Sequence, residues 1–233
     1  YQAMEALVHN LNTMHSRAGA QIPFSSINYG TDTSPEGRLV IESVLLATEA
    51  GLGNGETPIF PIHIFKVKEG INYNEGDPNY DLFKLACKVS AKRLFPNFSF
   101  LDAPFNAQYY KPGDHNTEAA YMGCRTRVIG NAYDPTREVV GGRGNLSFTS
   151  INLPRLGLKH GEILQGQCDM EGFYQELDDK MDLVKDQLLE RYRVQCARRV
   201  KNFPFLMAQG NWLNSDQLDI EDTLESVLKH GTL

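Results

Sequence analysis

The sequence predicts an α/β protein whose strands form a largely parallel sheet or barrel. Two observations lead there. Segments rich in β-formers alternate along the chain with segments whose apolar residues recur every three or four positions. A composition of 41% hydrophobic and 22% charged residues over 233 positions is that of an ordinary folded chain with a substantial core.

Gln2 to Arg17 reads as a helix, because Met4, Leu7, Val8, Leu11 and Met14 form one apolar stripe. Gln21 to Tyr29 (QIPFSSINY) reads as a strand with polar residues embedded in it. Thr31 to Ser34 is a turn, after which Ser34 as N-cap and Pro35 at the first helical position start a second helix. That helix carries Leu39, Val40, Val44 and Leu45 and stops near Gly51 to Gly55. Pro58 to Val67 (PIFPIHIFKV) is the next strand, punctuated by Pro61. Asp77-Pro78 opens a helix with the stripe Phe83, Ala86, Cys87, Ser90, Ala91 and Leu94, ended by Pro96. Phe98 to Ala103 is a third strand. From Pro104 to Gly144 no period is sustained, and a loop of that length inside a compact domain is usually functional. Asn145 to Leu153 (NLSFTSINL) returns to a strand. Asp169 to Lys201 is the clearest helix, with Phe173, Leu177, Met181, Val184, Leu188, Tyr192, Cys196 and Val200 in register and an acidic start and basic end. Phe205 to Trp212 reads as a short strand and Asp219 to Lys229 as a last helix.

Several classes are excluded at this level. A formal net charge of −6 does not suit a general nucleic-acid surface, and the basic cluster Arg191, Arg193, Arg198, Arg199 and Lys201 falls where a helix end favours cations. No apolar run reaches the roughly 20 residues that span a bilayer, and no secretory leader is visible. The four cysteines, Cys87, Cys124, Cys168 and Cys196, are far apart and lack histidines at ligand spacing. Neither a metal site nor a disulfide scaffold is expected, which points to a reducing cytoplasm. The ends at Tyr1 and Leu233 read as cuts in a longer polypeptide.

Chemistry-bearing residues are sparse. Cys87 and Cys196 lie on apolar stripes and are expected to be buried. Cys168 precedes a helix in a polar turn and is read as incidental. Cys124 differs, because it sits in YMGCRTRV inside the aperiodic stretch. Gly123 permits a close backbone approach there, and Arg125 and Arg127 match the geometry of anions. From the residues alone, a cysteine packed under its own Met and Tyr is the slightly favoured account, since a lone cysteine is a weak signal. The run Gly141 to Gly144 precedes a strand rather than a helix, so it reads as a turn. Asn145 then either caps that turn or offers an amide to a substrate hydroxyl. Ser25, Ser26 and Asn28 belong to a hydroxyl-rich segment before a helix N-terminus, a setting that suits an anionic substrate. Asp32 opposes that reading, and capping by Ser34 explains part of the pattern. Among six histidines, including His15 and His63, no triad grouping is apparent.

The strings HSRAGAQIPFSSINYGTDTS, GETPIFPIHIFKVKEG, MGCRTRV and GRGNLSFTSINLPRLG, in that order, resemble the catalytic subunit of anaerobic ribonucleoside-triphosphate reductases, a glycyl-radical enzyme family. The likeness runs from about Gln2 to Leu233. It implies part of a ten-stranded α/β barrel with a finger loop, here about residues 104–144, threaded through its centre. It also implies that Cys124 carries a thiyl radical and abstracts the ribose 3′-hydrogen, and that Asn145 hydrogen-bonds the ribose hydroxyls.

The same resemblance implies ribonucleoside triphosphates as substrates, formate as reductant and ATP or dNTP effectors. A radical-SAM iron–sulfur activating enzyme and a homodimer are the implied partners. The family's glycyl radical and its four-cysteine zinc site have no counterpart among these residues, nor does its N-terminal effector domain. A fragment inactive by itself is therefore expected. The rival readings are another glycyl-radical enzyme acting on a non-nucleotide, and a non-catalytic nucleotide-binding or oligomerisation module.

Overall fold

Residues 1–15, 19, 21–123, 126–208 and 210–231 are described by the computed structural model, and they fall into two units. The first takes Tyr1–Gly130 with Arg137–Val140, and the second Asn131–Thr136 with Gly141–Leu233.

The first unit runs α1 (Gln2–Thr13), β1 (Ser26–Tyr29), α2 (Pro35–Ala50), β2 (Ile62–Val67), α3 (Tyr80–Arg93), β3 (Asn97–Phe100), α4 (Pro104–Ala107), β4 (Ala120–Met122) and β5 (Thr126–Val128). The first three strands form a parallel sheet in the order β1-β2-β3, as a βαβαβ alternation requires. The α/β expectation is met in this form, a parallel sheet with helices. The central strand β2 is buried along nearly its whole length, the signature of a parallel strand covered on both faces. Its odd residues Phe65 and Val67 meet Ile41 and Leu45 of α2 and Leu82, Ala86 and Val89 of α3. Its even residues Ile62 and Ile64 pack with Phe60, Leu11, Ile22, Phe95 and Tyr121 on the opposite face.

Ser34 caps α2 as its sequence foretells, accepting from the Gly37 amide at 3.0 Å with Pro35 behind it. At the other end, Arg93 donates to the orphan carbonyls of Glu49 at 2.7 Å and Ala50 at 3.0 Å, so α3 caps its neighbour. The strands are shorter at their N-terminal ends than their β-rich runs suggest, because ladder pairing begins only after Ser25 and Pro61. The Cys87 expectation is overturned. Leu82, Ala86 and Val89 are the buried face of α3, and Cys87, one residue round from Ala86, is exposed.

The second unit contains α5 (Leu153–His160), α6 (Glu162–Gln165), α7 (Met170–Cys196), α8 (Pro204–Ala208) and α9 (Glu225–Leu228). Its core is Cys196, Val200, Met207, Leu224, Val227 and Leu228, with Leu146, Tyr192, Trp212 and Leu218 packed against it. Asp169 caps α7 through the Gly172 amide. That helix ends at Cys196 rather than Lys201, and Val200 sits in a 3-10 turn yet stays buried. Of the apolar stripe only Cys196 and Val200 are buried, while Met181 is 55% exposed. The periodicity therefore locates the helix without describing its burial.

Three sequence expectations are corrected here. Residues 145–153 form no strand beyond a single bridge at Asn145, because side chains of α7 occupy the hydrogen-bonding groups of Leu146 and Phe148. The strand expected over 205–212 is instead α8, started by Pro204 at a position where a missing N–H costs nothing. The final helix is confined to Glu225–Leu228 because 219–224 make turns and pair with Arg198 to Lys201. Among the described residues, no helix is long and apolar enough to cross a membrane.

Candidate functional site

The parallel register places Ser26 beside Ile62, Asn28 beside Ile64, Ile64 beside Asn97, and Lys66 beside Ser99. Residues paired in this way share one face of the sheet, here the face away from α2 and α3. The antiparallel pair β4–β5 lies against it. The Asn28 amide donates to the Tyr121 carbonyl at 2.7 Å, and its Oδ1 accepts from the Tyr121 N–H at 2.9 Å. Ser26 Oγ donates to the same carbonyl at 3.5 Å, and Ser99 Oγ donates to the Tyr121 hydroxyl at 3.2 Å. Two of the three candidate substrate contacts, Ser26 and Asn28 on β1, are thus engaged with this hairpin. Ser25 Oγ, by contrast, is buried and has no hydrogen-bond partner among the described residues.

Cys124 and Arg125 lie outside the described residues; the strands that bracket them in sequence are β4 and β5, paired Met122 to Thr126 and Tyr121 to Arg127. Gly123 has φ +55°, a conformation that favours glycine over any L side chain. Arg127 is committed to α4, donating to Asn106 Oδ1 at 3.1 Å and lying 4.9 Å from the centre of the Phe105 ring.

At the carboxyl ends of β1 and β2 a cavity of about 740 Å³ opens between Thr31, Thr33, Lys66, Lys68, His115 and Glu118. That is where open α/β sheets commonly bind ligands. Lys66 and Glu118 form an ion pair at 2.8 Å, almost wholly removed from solvent, with Lys68 3.8 Å from the other carboxylate oxygen. Glu118 carried no signal of its own in the sequence, but a lone lysine in the run IHIFKV did. A charge inside a buried strand demands a counter-charge.

The helical face hides a second polar group. His63 Nε2 lies 3.3 Å from Thr48 Oγ1, and its Nδ1 3.1 Å from the Tyr29 hydroxyl. Burial holds the imidazole pKa down at about 4 and pushes that of Tyr29 up. This His–Tyr–Thr grouping is packed in the core and includes no nucleophile–base–acid series.

In the second unit the segment around Asn145 is held by α7. Gln195 donates to the Leu146 carbonyl at 3.1 Å, and Arg191 to Ser147 Oγ and the Phe148 carbonyl at 3.1 Å and to Thr149 Oγ1 at 3.2 Å. Asn145 itself is exposed. The preceding glycine run is a turn: Gly142 has φ +69° and accepts from Leu213 N at 2.6 Å, and Arg143 donates to the His230 carbonyl. Cys196 is buried, which pushes its thiol pKa up, and Cys168 is exposed. Among the described residues no three His, Cys, Asp or Glu side chains converge to hold a metal, so these residues do not fit a zinc site.

A family model described as anaerobic ribonucleoside-triphosphate reductase matches residues 1–233. Proteins of that name from Haemophilus influenzae and Escherichia coli are each 31% identical over 232 residues, covering 99% of this chain and 30% of theirs. The protein of that name from Enterobacteria phage T4 is 30% identical over 232 residues, covering 99% of this chain and 37% of its own. The chain thus spans about a third of the length of these relatives.

Proposed function

This chain belongs to the anaerobic ribonucleoside-triphosphate reductase family, and from that premise we propose that it supplies the catalytic barrel segment of an enzyme converting ribonucleoside triphosphates to deoxyribonucleoside triphosphates. The observation that carries this reading is the family match across the whole chain, with MGCRT and GRGNLSF inside it. In this reading Cys124 is the hydrogen-abstracting sulfur. An S–H bond forms on it as the ribose C3′–H bond breaks. Asn145 holds the ribose hydroxyls by its amide, and Ser25, whose hydroxyl has no partner among the described residues, faces substrate.

The glycyl radical, on a residue outside this chain, supplies the hydrogen-atom acceptor that readies Cys124. Formate serves as reductant. The iron–sulfur activating enzyme, ATP and dNTP effectors and the homodimer complete the system in the reducing cytoplasm. No step is assigned to zinc. The sheet β1-β2-β3 is read as a sector of the ten-stranded barrel and residues 104–144 as its finger. The docking of β4–β5 on the face opposite α2 and α3 supports this, since a finger inside a barrel meets the face that the crossover helices do not cover. Such enclosure keeps water and side reactions away from a radical sulfur.

The test is Cys124→Ser in the full-length protein. Deoxyribonucleotide formation is lost while circular dichroism and Tm match wild type. Retained turnover would overturn the assignment. Asn145→Ala lowers kcat without unfolding the protein.

A further inference from the structure

We propose that Asn28 is a positioning residue that sets the register of the β4–β5 hairpin, and so the placement of Cys124 in the sequence between those strands, by clamping the backbone of Tyr121. The proposal rests on the reading of Cys124 as the reactive sulfur.

One side-chain amide satisfies both main-chain groups of one residue, accepting from Tyr121 N–H at 2.9 Å and donating to Tyr121 C=O at 2.7 Å. In an antiparallel pair the N–H and C=O of a given residue point to the same side, and alternate residues point to opposite sides. Tyr121 turns both groups away from β5 toward Asn28, so Ala120 and Met122 direct theirs into the ladder with Val128 and Thr126. Asn28 therefore recognises position 121 and rejects 120 and 122. A slip of one residue would leave the amide facing a Cα–H instead of a donor and an acceptor, and would flip every hairpin side chain to the other face.

The rest of Tyr121 is held as well. Its ring packs with the cluster of Phe60, Ile62 and Ile64, and its hydroxyl accepts from Ser99 on β3. Position 121 is thus referenced to all three strands of the sheet. Cys124 is only three positions further on, a span of at most about 11 Å of chain. Displacing a reacting atom by about 1 Å can cost on the order of 100-fold in rate. The chemistry also explains why the residue is an asparagine. Serine lacks a second group at the required spacing, and aspartate cannot donate to the carbonyl when ionised.

The experiment uses Asn28→Ala and the near-isosteric Asn28→Leu in the full-length reductase, with two readouts. Amide hydrogen exchange of Tyr121 is followed in a Cys124→Ser background, where turnover plays no part. Steady-state kinetics with ribonucleoside triphosphate are measured in the otherwise native enzyme. The proposal expects Tyr121 exchange to accelerate about tenfold or more on loss of the bond, and kcat to fall about 10- to 100-fold with KM within about twofold. Asn28→Leu, which keeps a similar volume but neither accepts from Tyr121 N–H nor donates to its carbonyl, gives the same split if Asn28→Ala does not fold. Unchanged exchange overturns the clamp, and faster exchange with wild-type kcat reduces it to a structural staple. A raised KM with intact kcat would make Asn28 a substrate ligand instead. An active Cys124→Ser enzyme would defeat the functional reading, whereas the exchange result stands or falls independently of it.

Discussion

Tyr29 donates its phenolic proton to Nδ1 of His63 across 3.1 Å inside the first unit. The direction follows from Thr48, whose hydroxyl donates to the Val44 carbonyl at 2.8 Å and so must accept from His63 Nε2–H. The imidazole is thereby held neutral with its proton on Nε2. The 3.1 Å bond joins β1 to β2 beneath the helices.

This pairing makes stability depend on acid. His63 is 1% exposed, and burial sets its folded pKa near 4, against an ordinary 6.5. The unfolded chain therefore binds the proton more readily. The contribution is complete above about pH 6.5 and is lost as the pH falls toward 4, to the extent of about 3 kcal/mol. Urea unfolding between pH 7 and 4 should show this loss, and His63→Gln should flatten the profile over that window. An equally steep profile in His63→Gln would reassign the effect to the carboxylates.

Asn72, wholly buried, donates to the Gly30 carbonyl at 3.0 Å and the Lys66 carbonyl at 2.8 Å, and accepts from Lys68 N–H at 2.9 Å. Asn72→Ala strands those backbone groups away from water. A loss of about 3 kcal/mol is expected, read as a lower urea midpoint with unchanged m-value. Gly30→Ala should be comparably harmful, since Gly30 has φ +125° and an added Cβ would lie 2.7 Å from the Lys66 carbonyl oxygen.

The Lys66–Glu118 pair should show the asymmetry of buried charges. Glu118→Leu alone leaves an ammonium with no carboxylate and costs about 3–5 kcal/mol, whereas Lys66→Met with Glu118→Leu recovers most of that loss. A double-mutant cycle in thermal unfolding measures it. Additive effects of the two substitutions would mean that the pair is not coupled.

Arg191 anchors residues 147–149 to α7 by three hydrogen bonds. In the full-length enzyme, Arg191→Ala should lower kcat about tenfold or more by loosening the segment that follows Asn145, while lowering Tm only slightly because the guanidinium is exposed. Arg191→Lys should rescue little, because one ammonium does not reproduce a planar fork. Wild-type kcat in Arg191→Ala would show that this anchor does not bear on catalysis.

Local chemistry decided much of what was legible beforehand. Ser34-Pro35 at the start of α2, the glycines at its end and the apolar run of β2 all carry their structure in neighbouring residues. The run 145–153 shows the converse. Its β-rich alternation was plain, yet a strand also needs a partner, and here Arg191 and Gln195 side chains take up the carbonyls instead. Cys87 misled for a related reason. Several residues of α3 fit an apolar stripe, and only packing against α2 and β2 selects the face that Leu82, Ala86 and Val89 define.

The sequence by itself determined the α/β class, the order of the main helices and strands, and the family to which MGCRT and GRGNLSF belong, because each is written in short-range pattern. Only the tertiary structure decided that Asn28 meets Tyr121, that Lys66 finds Glu118 and that Tyr29 closes on His63. These pairs are 93, 52 and 34 residues apart. Such contacts depend on strand register and on which face each helix buries, quantities that no local periodicity encodes.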